Sequence, residues 1–337
     1  MDPVHSHVSP LTAATTDNRA TIAYIGQEAA GQTPSDPSAA HPARVYNYWL
    51  GGKDHYPADR RAGDAVKRHR PQVVAGARAN RAFLGRAVRY LAAEAGIRQF
   101  LDIGTGLPAP GATHQIAQQA NPACAVAYVD NDPLVLVYAR ALLTSTPPGR
   151  CGYVDADLRD TTTVLDQASR ALDFSEPVAV LLLAVLHFLP DADDPAGIVA
   201  RLVAALAPGS FVVISHLTGD FAPESVSAGV DAYNAAVPTT VVPRTHTQVT
   251  GLFGGLPLVP PGVVPVTEWR PAAGLPHRHT ADLYAGMARI PYEGPASPVH
   301  TARTASMVSA SAAGLSGRCR STRAKRSATP PGYLGLA

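Results

Sequence analysis

Between residues 81 and 217, short apolar runs alternate with longer segments whose apolar positions recur at helical spacing. "RAFLGRAVRYLAAEAG" places Phe83, Leu84, Ala87, Val88 and Leu91 on one helical face and stops at Gly96. "QFLDIG" then reads as a strand, "THQIAQQA" as a helix, "CAVAYVD" as a strand, and "PLVLVYARALL" as a helix with Pro133 in its first turn. "CGYVDADLRD", a helix over 163–171, the apolar "PVAVLLLAVLHFL", the helical "DPAGIVARLVAAL" and "SFVVISHL" continue the alternation. Strands that are apolar throughout are buried on both faces, which predicts an α/β fold with a mostly parallel sheet between two helical layers. "LPLVPPGVVPVTEWRP" and "TADLYAGMARI" read as two more strands without a good helix between them, so an antiparallel edge is expected.

The two ends of the chain lack this pattern. Residues 1–41 are rich in Ala, Thr, Ser, Pro and Gly and read as a disordered N-terminal arm, while 291–337 read as a disordered, low-complexity basic tail. The working domain is therefore expected over 42–290. A chain of 337 residues with 46% hydrophobic and 16% charged residues is globular in composition, and a net charge of +2 points to no partner by itself. The one basic cluster, "RCRSTRAKR", lies in the tail, so no nucleic-acid footprint is expected. Cys124, Cys151 and Cys319 are odd in number and far apart, which argues against a disulfide framework or a metal site. "VAVLLLAVLHFL" is too short to span a bilayer and the N-terminus has no secretory pattern, so a reduced, cytoplasmic setting is expected.

In an open α/β sheet, ligands sit beyond the carboxyl ends of the strands, so the first polar residues after each strand carry the chemistry. Here these are Gly104-Thr105-Gly106 after the first strand, Asp130 and Asn131 after the second, Asp157 and Leu158 after the third, and His187 after the fourth. Glycines let the backbone turn tightly and approach a ligand closely. Asp130 is placed to accept both hydroxyls of a ribose, and Asp157 with Leu158 to meet the amino group and face of an adenine. The spacing of Gly104, Gly106 and Ala109 also satisfies a loose dinucleotide fingerprint, so a nucleotide-dependent oxidoreductase stays open. Pro108 and Pro110 weigh against it, because they lack N–H groups near the helix start that would hold a pyrophosphate. Turn and helix capping by the aspartates is the plain alternative.

"LDIGTGLP", "YVDNDPLVLVYARALL", "YVDADLRD" and "PVAVLLLAVLHFLPD" together resemble a family of class I S-adenosylmethionine (SAM)-dependent methyltransferases of unassigned substrate. "RVYNYWLGGKDHYPADR" (44–60) is similar to that family's N-terminal signature, and "GLPLVPPGVVPVTEWRP" to its C-terminal part. The resemblance covers 42–290 and implies a Rossmann-like, seven-stranded, mostly parallel sheet with SAM over its first four strands. It implies further that Asp102, Gly104 and Gly106 form the first SAM motif, that Asp130 holds the ribose, and that Asp157 and Leu158 meet the adenine. The chain departs from the family at Ala112 and Gln115, where Asn and Glu are common.

Methyl transfer from a sulfonium is an in-line displacement, for which positioning and exclusion of water supply much of the rate. Where the acceptor must lose a proton, His187, Asp54 and His55 are the candidate bases, with His216 more suited to a structural role. The double glycine Gly51-Gly52 is expected to turn the chain so that Tyr48, Lys53, Asp54 and His55 close over the methionine end of SAM. Tyr46, Tyr48 and Trp49 either face the sulfonium or form the apolar side of a lid helix. Residues 220–244, which follow the fifth strand, are expected to line the acceptor side. A methyltransferase acting on a small molecule is the leading reading, and a non-catalytic SAM-binding module is the second.

Overall fold

The computed structural model describes residues 22–25, 36–142, 145–271 and 281–292. Strands β1 (Ile22–Ile25), β2 (Gln99–Ile103), β3 (Ala125–Asp130), β4 (Arg150–Asp155), β5 (Val178–Leu183), β6 (Phe211–Leu217), β7 (Val264–Pro265) and β8 (Leu283–Arg289) form one sheet. Its order is β1-β4-β3-β2-β5-β6-β8-β7. Pairing is parallel from β1 to β6, and β8 then runs antiparallel to β6 and to β7. The parallel core and the antiparallel edge agree with the sequence pattern. The eighth strand, β1, lies in the segment expected to be a disordered arm, and its Ile22 pairs with Cys151 at the sheet edge. Residues 36–41 of that same arm also take a defined course into the first helix. The basic cluster at 318–326 lies outside the described residues.

Nine helices are found among the described residues: α1 (Pro42–Leu50), α2 (Pro57–His69), α3 (Val73–Ala93), α4 (Thr113–Ala120), α5 (Pro133–Leu142), α6 (Thr161–Ala168), α7 (Pro195–Ala204), α8 (Pro223–Asn234) and α9 (His246–Gly251). Several starts follow capping chemistry. Asp160 accepts from Thr163 N at 3.0 Å and Asp194 from Gly197 N at 3.0 Å. Gln115 replaces the usual acid at α4 by taking the N–H groups of Gly111 (2.9 Å) and Ala112 (3.1 Å).

Strand side chains alternate between two cores. Phe100, Val126, Tyr128, Tyr153 and Leu181 join α3, α4 and Trp269 on one face. Leu101, Ala127, Val129, Val180 and Leu182 join α6, α7 and α9 on the other. A third apolar cluster, built from Val45, Ala58, Ala62, Val66, Tyr233, Val237 and Val241, binds α1, α2 and α8 together above the strand ends. Among the described residues no helix is long and apolar enough to cross a membrane. The chain reverses its direction of travel across the sheet between β2 and β5, and the crevice that this opens lies at the carboxyl ends of those strands.

Candidate functional site

A cavity of about 580 Å³ occupies that crevice, with a floor made by the ends of β2 to β5 and a cover made by α1, α2, α8 and residues 238–241. The volume falls within the range of roughly 300–1,000 Å³ typical of small-molecule sites. Asp102, Gly104, Thr105, Gly106, Asp130, Asn131, Asp157, Leu158 and His187 all line it, so the residues expected after the first four strands meet in one place.

The floor is built from backbone turns held by carboxylates. Gly104 and Gly106 have φ of 72° and 66°, the left-handed region that favours glycine. A Cβ on Gly104 would lie 2.5 Å from Val185 Cγ2, so the loop can pass there only with glycine. Gly106 N–H donates to Asp130 Oδ2 at 2.8 Å, and Asp132 N–H donates to Asp130 Oδ1 at 3.0 Å. Asp102 accepts from Thr113 Oγ1 at 2.6 Å, which pins the glycine loop to the start of α4. Burial raises the pKa of both Asp102 and Asp130 above the usual carboxylate range. Asn131 Nδ2 donates to Asp157 Oδ2 at 3.1 Å and so ties the ends of β3 and β4 together.

The start of α4 is poorly suited to a pyrophosphate. The N–H groups of Gly111 and Ala112 are taken by Gln115, that of His114 by Tyr128 Oη at 2.8 Å, and Pro108 and Pro110 have none. Arg81 also donates to the carbonyls of Ala109 (3.3 Å) and Gly111 (3.1 Å), bracing the loop from the cavity side. These observations disfavour a dinucleotide and fit an adenosine without a diphosphate.

The wall at the end of β5 carries a backbone outlier and a histidine. Ala184 has φ of 54°, costly for a residue with a Cβ, and its N–H is held by Ser215 O (3.0 Å) and Ser215 Oγ (2.9 Å). Ser215 Oγ donates in turn to Asn80 Oδ1 at 2.6 Å, and Asn80 Nδ2 donates to Tyr46 Oη at 3.2 Å. One buried chain of hydrogen bonds thus runs from the cover helix through α3 to the strained end of β5. Just beyond, His187 is buried on the cavity wall against Phe188, with ring centroids 4.4 Å apart. Its Nδ1 has no hydrogen-bond partner among the described residues, and burial holds its pKa well below the usual value, with smaller contributions from His216 and Arg244.

His216 is structural, as expected. Arg44 aside, Arg244 is the other buried arginine here that binds several partners: it donates to the carbonyls of Leu186 and Leu189, to Asp191 and to His216 Nε2 at 3.0 Å. Since arginine only donates, His216 Nε2 accepts, and its Nδ1–H donates to Leu217 O at 2.8 Å. Burial lowers the pKa of His216 to about 4. Arg244 thereby fixes the turn that carries His187.

The cover corrects one expectation. α1 presents Pro42, Ala43, Tyr46 and Trp49 to the cavity, a helical face, whereas Tyr48, Gly51, Gly52, Asp54 and His55 are not among the lining residues. Tyr48 instead donates to Asp64 at 2.7 Å and packs edge-on against His55. His55 Nε2 donates to Gly52 O at 3.1 Å. The Asp54 carboxylate faces the Tyr138 hydroxyl of α5 and raises that group's pKa. Gly51, with φ of 82°, is the left-handed C-cap of α1, and a Cβ on Gly52 would lie 2.3 Å from Asn47 Oδ1. The double glycine thus closes a helix instead of a ligand site.

What holds α1 in place is Asp59, fully buried, which accepts from His41 N (2.9 Å), Tyr56 N (2.7 Å) and Arg44 Nε (3.1 Å). His41 Nδ1 lies 3.0 Å from Asp132 Oδ2, which sets the start of α1 beside the end of β3.

Other lining residues had no place in the sequence reading: Arg70, Asn80, Arg81 and Asp282. Asn80 is the one with a visible signal, since it breaks the apolar stripe of α3 between Ala77 and Leu84. Residues 226, 229, 230, 233 and 238–241 do line the cavity, in the segment assigned from sequence to the acceptor side.

Fold and site together define a Rossmann-like class I methyltransferase architecture. A family model described as S-adenosyl methyltransferase matches residues 28–291, and the chain belongs to this family, whose cofactor is SAM. The chain is similar to a solved DUF574 family protein from Streptomyces avermitilis, with 46% identity over 76% of this chain and 99% of that one, at a TM-score of 0.74. It is also similar to a protein from Thermobifida fusca described as a candidate methyltransferase, with 37% identity over 76% of this chain and 97% of that one, at a TM-score of 0.71. No curated protein matches the sequence.

Proposed function

We propose that this protein transfers a methyl group from SAM to a small molecule in the cytoplasm, with His187 as the base where the acceptor carries a proton. The observation that carries the reading is the single cavity in which the glycine turn, Asp130 and Asp157 lie on the floor and His187 stands on the wall. On this reading Asp102 and Thr113 hold the glycine loop against the methionine end, Asp130 accepts from the ribose hydroxyls, and Asp157 with Leu158 receives the adenine. Arg81, whose Nε has no partner among the described residues, lies by Asp102 and is suited to the cofactor's carboxylate.

SAM when bound would supply an electrophilic methyl carbon for the acceptor's lone pair, with sulfur as the leaving atom that keeps the electron pair. His187, kept neutral near pH 7 by burial, has a lone pair free to take the acceptor's proton. Tyr46 and Trp49 close the cavity from above and exclude water. Enclosure favours a small acceptor over a macromolecule. The buried free thiols Cys124 and Cys151 support a reducing compartment.

Calorimetry and labelled methyl transfer into a cell extract test this. Saturable binding of SAM and its product S-adenosylhomocysteine (SAH), no binding of NAD, and label in the small-molecule fraction are expected. The His187→Ala variant should lose about 10²–10⁴-fold in transfer while binding SAH as before. Binding of NAD without SAM would favour the oxidoreductase, and tight SAM binding with no transfer to any fraction would favour the non-catalytic module.

A further inference from the structure

On the cover side, away from the glycine floor, the cavity is lined by the apolar Val66, Val73, Val226 and Val230, with Thr239 and Thr240 at its edge. Trp49, Phe188 and Tyr233 form an aromatic wall, with Tyr233 6.5 Å from Trp49 and 6.2 Å from Phe188 between ring centroids. The buried Tyr233 hydroxyl has no partner among the described residues, and an ion pair lies nearby on the same cavity lining. Arg70, at the C-terminus of α2, pairs with Asp282 at the start of β8, and both line the cavity. Arg70 is 4% exposed and Asp282 9%, so the pair is withdrawn from water. Gly229 makes room for it, since a Cβ there would lie 3.0 Å from Arg70 Cδ.

The pair is incompletely used. A guanidinium has five N–H donors, and beyond Asp282 that of Arg70 has no partner among the described residues, its Nε being buried and unbonded. The Asp282 side chain likewise accepts from Arg70 alone among them. Buried charges in native proteins have their remaining donors and acceptors satisfied, so this pair needs a partner that both accepts and donates. Charge narrows the choice. A lone carboxylate drawn to Arg70 would sit beside the Asp282 carboxylate, and a lone ammonium drawn to Asp282 beside the guanidinium, in a setting where like charges are strongly disfavoured. An uncharged amide edge avoids both conflicts: its carbonyl accepts from Arg70 and its N–H donates to Asp282.

Resting on the methyltransferase reading above, we infer that the acceptor is an uncharged aromatic molecule whose end remote from the methylated atom is an amide or lactam edge, bound by the Arg70–Asp282 pair. The ring lies against Trp49, Phe188 and Tyr233, and its other end meets His187.

Four phenols that differ only in the para substituent test this by calorimetry on the SAH-loaded protein: 4-hydroxybenzamide, 4-hydroxybenzoate, 4-hydroxybenzylamine and p-cresol. The benzamide is expected to bind at least tenfold more tightly than each of the others. In the double variant Arg70→Met with Asp282→Leu, that preference should vanish while SAH binding is kept. Replacing both members of a buried pair by apolar groups of similar size is often tolerated, whereas removing one is not. Tighter binding of the benzoate or the benzylamine, equal binding of p-cresol, or no binding of any of the four overturns the inference. Retained SAH binding in those cases leaves the cofactor reading standing, whereas a protein that does not bind SAH loses that reading instead. A preference for the benzamide that survives in the double variant overturns the role given to the pair.

Discussion

The floor and the cover of the cavity are built by different physics. The floor consists of main-chain turns in conformations that only glycine adopts easily, fixed by buried carboxylates that accept from backbone N–H groups, as Asp130 does from Gly106 and Asp132. Such a surface is rigid and presents a set pattern of acceptors. The cover consists of helices joined by apolar contacts among Val45, Ala62, Val66, Tyr233 and Val241, and is anchored by one buried carboxylate, Asp59. Its inner face offers shape, aromatic surface and one ion pair. A floor of this kind suits a polar molecule that is the same in every turnover, and a cover of this kind can change its lining without disturbing the sheet. The Tyr46–Asn80–Ser215–Ala184 chain is where the two meet.

The most damaging change to the floor is at Gly104. A Cβ there meets Val185 at 2.5 Å and sits on a backbone with φ of 72°. Left-handed strain of about 1–2 kcal/mol and overpacking of about 1–3 kcal/mol together predict a loss of about 2–5 kcal/mol for Gly104→Ala. SAH calorimetry and urea unfolding should both register it. Gly96→Ala, with φ of 73° and nothing within 4 Å of a Cβ, provides the contrast: about 1 kcal/mol of stability and unchanged SAH affinity. If the two variants bind SAH alike, the rigid floor is not what holds the cofactor.

A smaller effect is expected at Asp130. Burial raises its pKa in the free protein, and on the proposed reading the ionised form is the one that accepts from ribose hydroxyls. Binding therefore favours loss of its proton, so SAH affinity should fall as pH drops through the raised carboxylate value and hold constant above it. Asp130→Asn should weaken SAH by roughly tenfold, on the order of one charge-assisted hydrogen bond, and flatten that pH profile. A profile identical to the wild type would assign the titration to another group.

The same contrast decides what the sequence made legible. Strand ends are marked by the continuously apolar runs that precede them, so the places of Gly104, Asp130, Asp157 and His187 on the cavity lining follow from position alone. α1 to α3 and α8 carry no such register. The polar stretch after Gly51 looked like a site because glycine pairs and titratable side chains mark sites, yet helix ends use the same residues: Gly51 ends α1, Gly52 receives Asn47, and Asp54 and His55 bind neighbouring turns. Arg70 and Asp282 are separated by most of the chain and meet only because β8 runs beside β6. Long-range pairs of this kind leave no local trace. β1 was missed because four residues amid small polar ones have too little pattern to stand out.

The smallest predicted effect tests the corrected role of that polar stretch. Asp54 faces the Tyr138 hydroxyl of α5, whose pKa it raises, and does not line the cavity. Asp54→Ala should therefore cost about 0.5–1.5 kcal/mol of stability, the net worth of one hydrogen bond, seen as a lower urea midpoint. SAH affinity should stay within about twofold, because the N–H of residue 54 still reaches Asn47 Oδ1 at 3.2 Å and the turn keeps its course. Tyr138→Phe should reproduce the loss, and the double variant should cost no more than either single change, since both remove the same bond. An Asp54→Ala protein that is as stable as wild type but binds SAH tenfold more weakly would return this turn to the ligand site and place the boundary between cover and scaffold elsewhere.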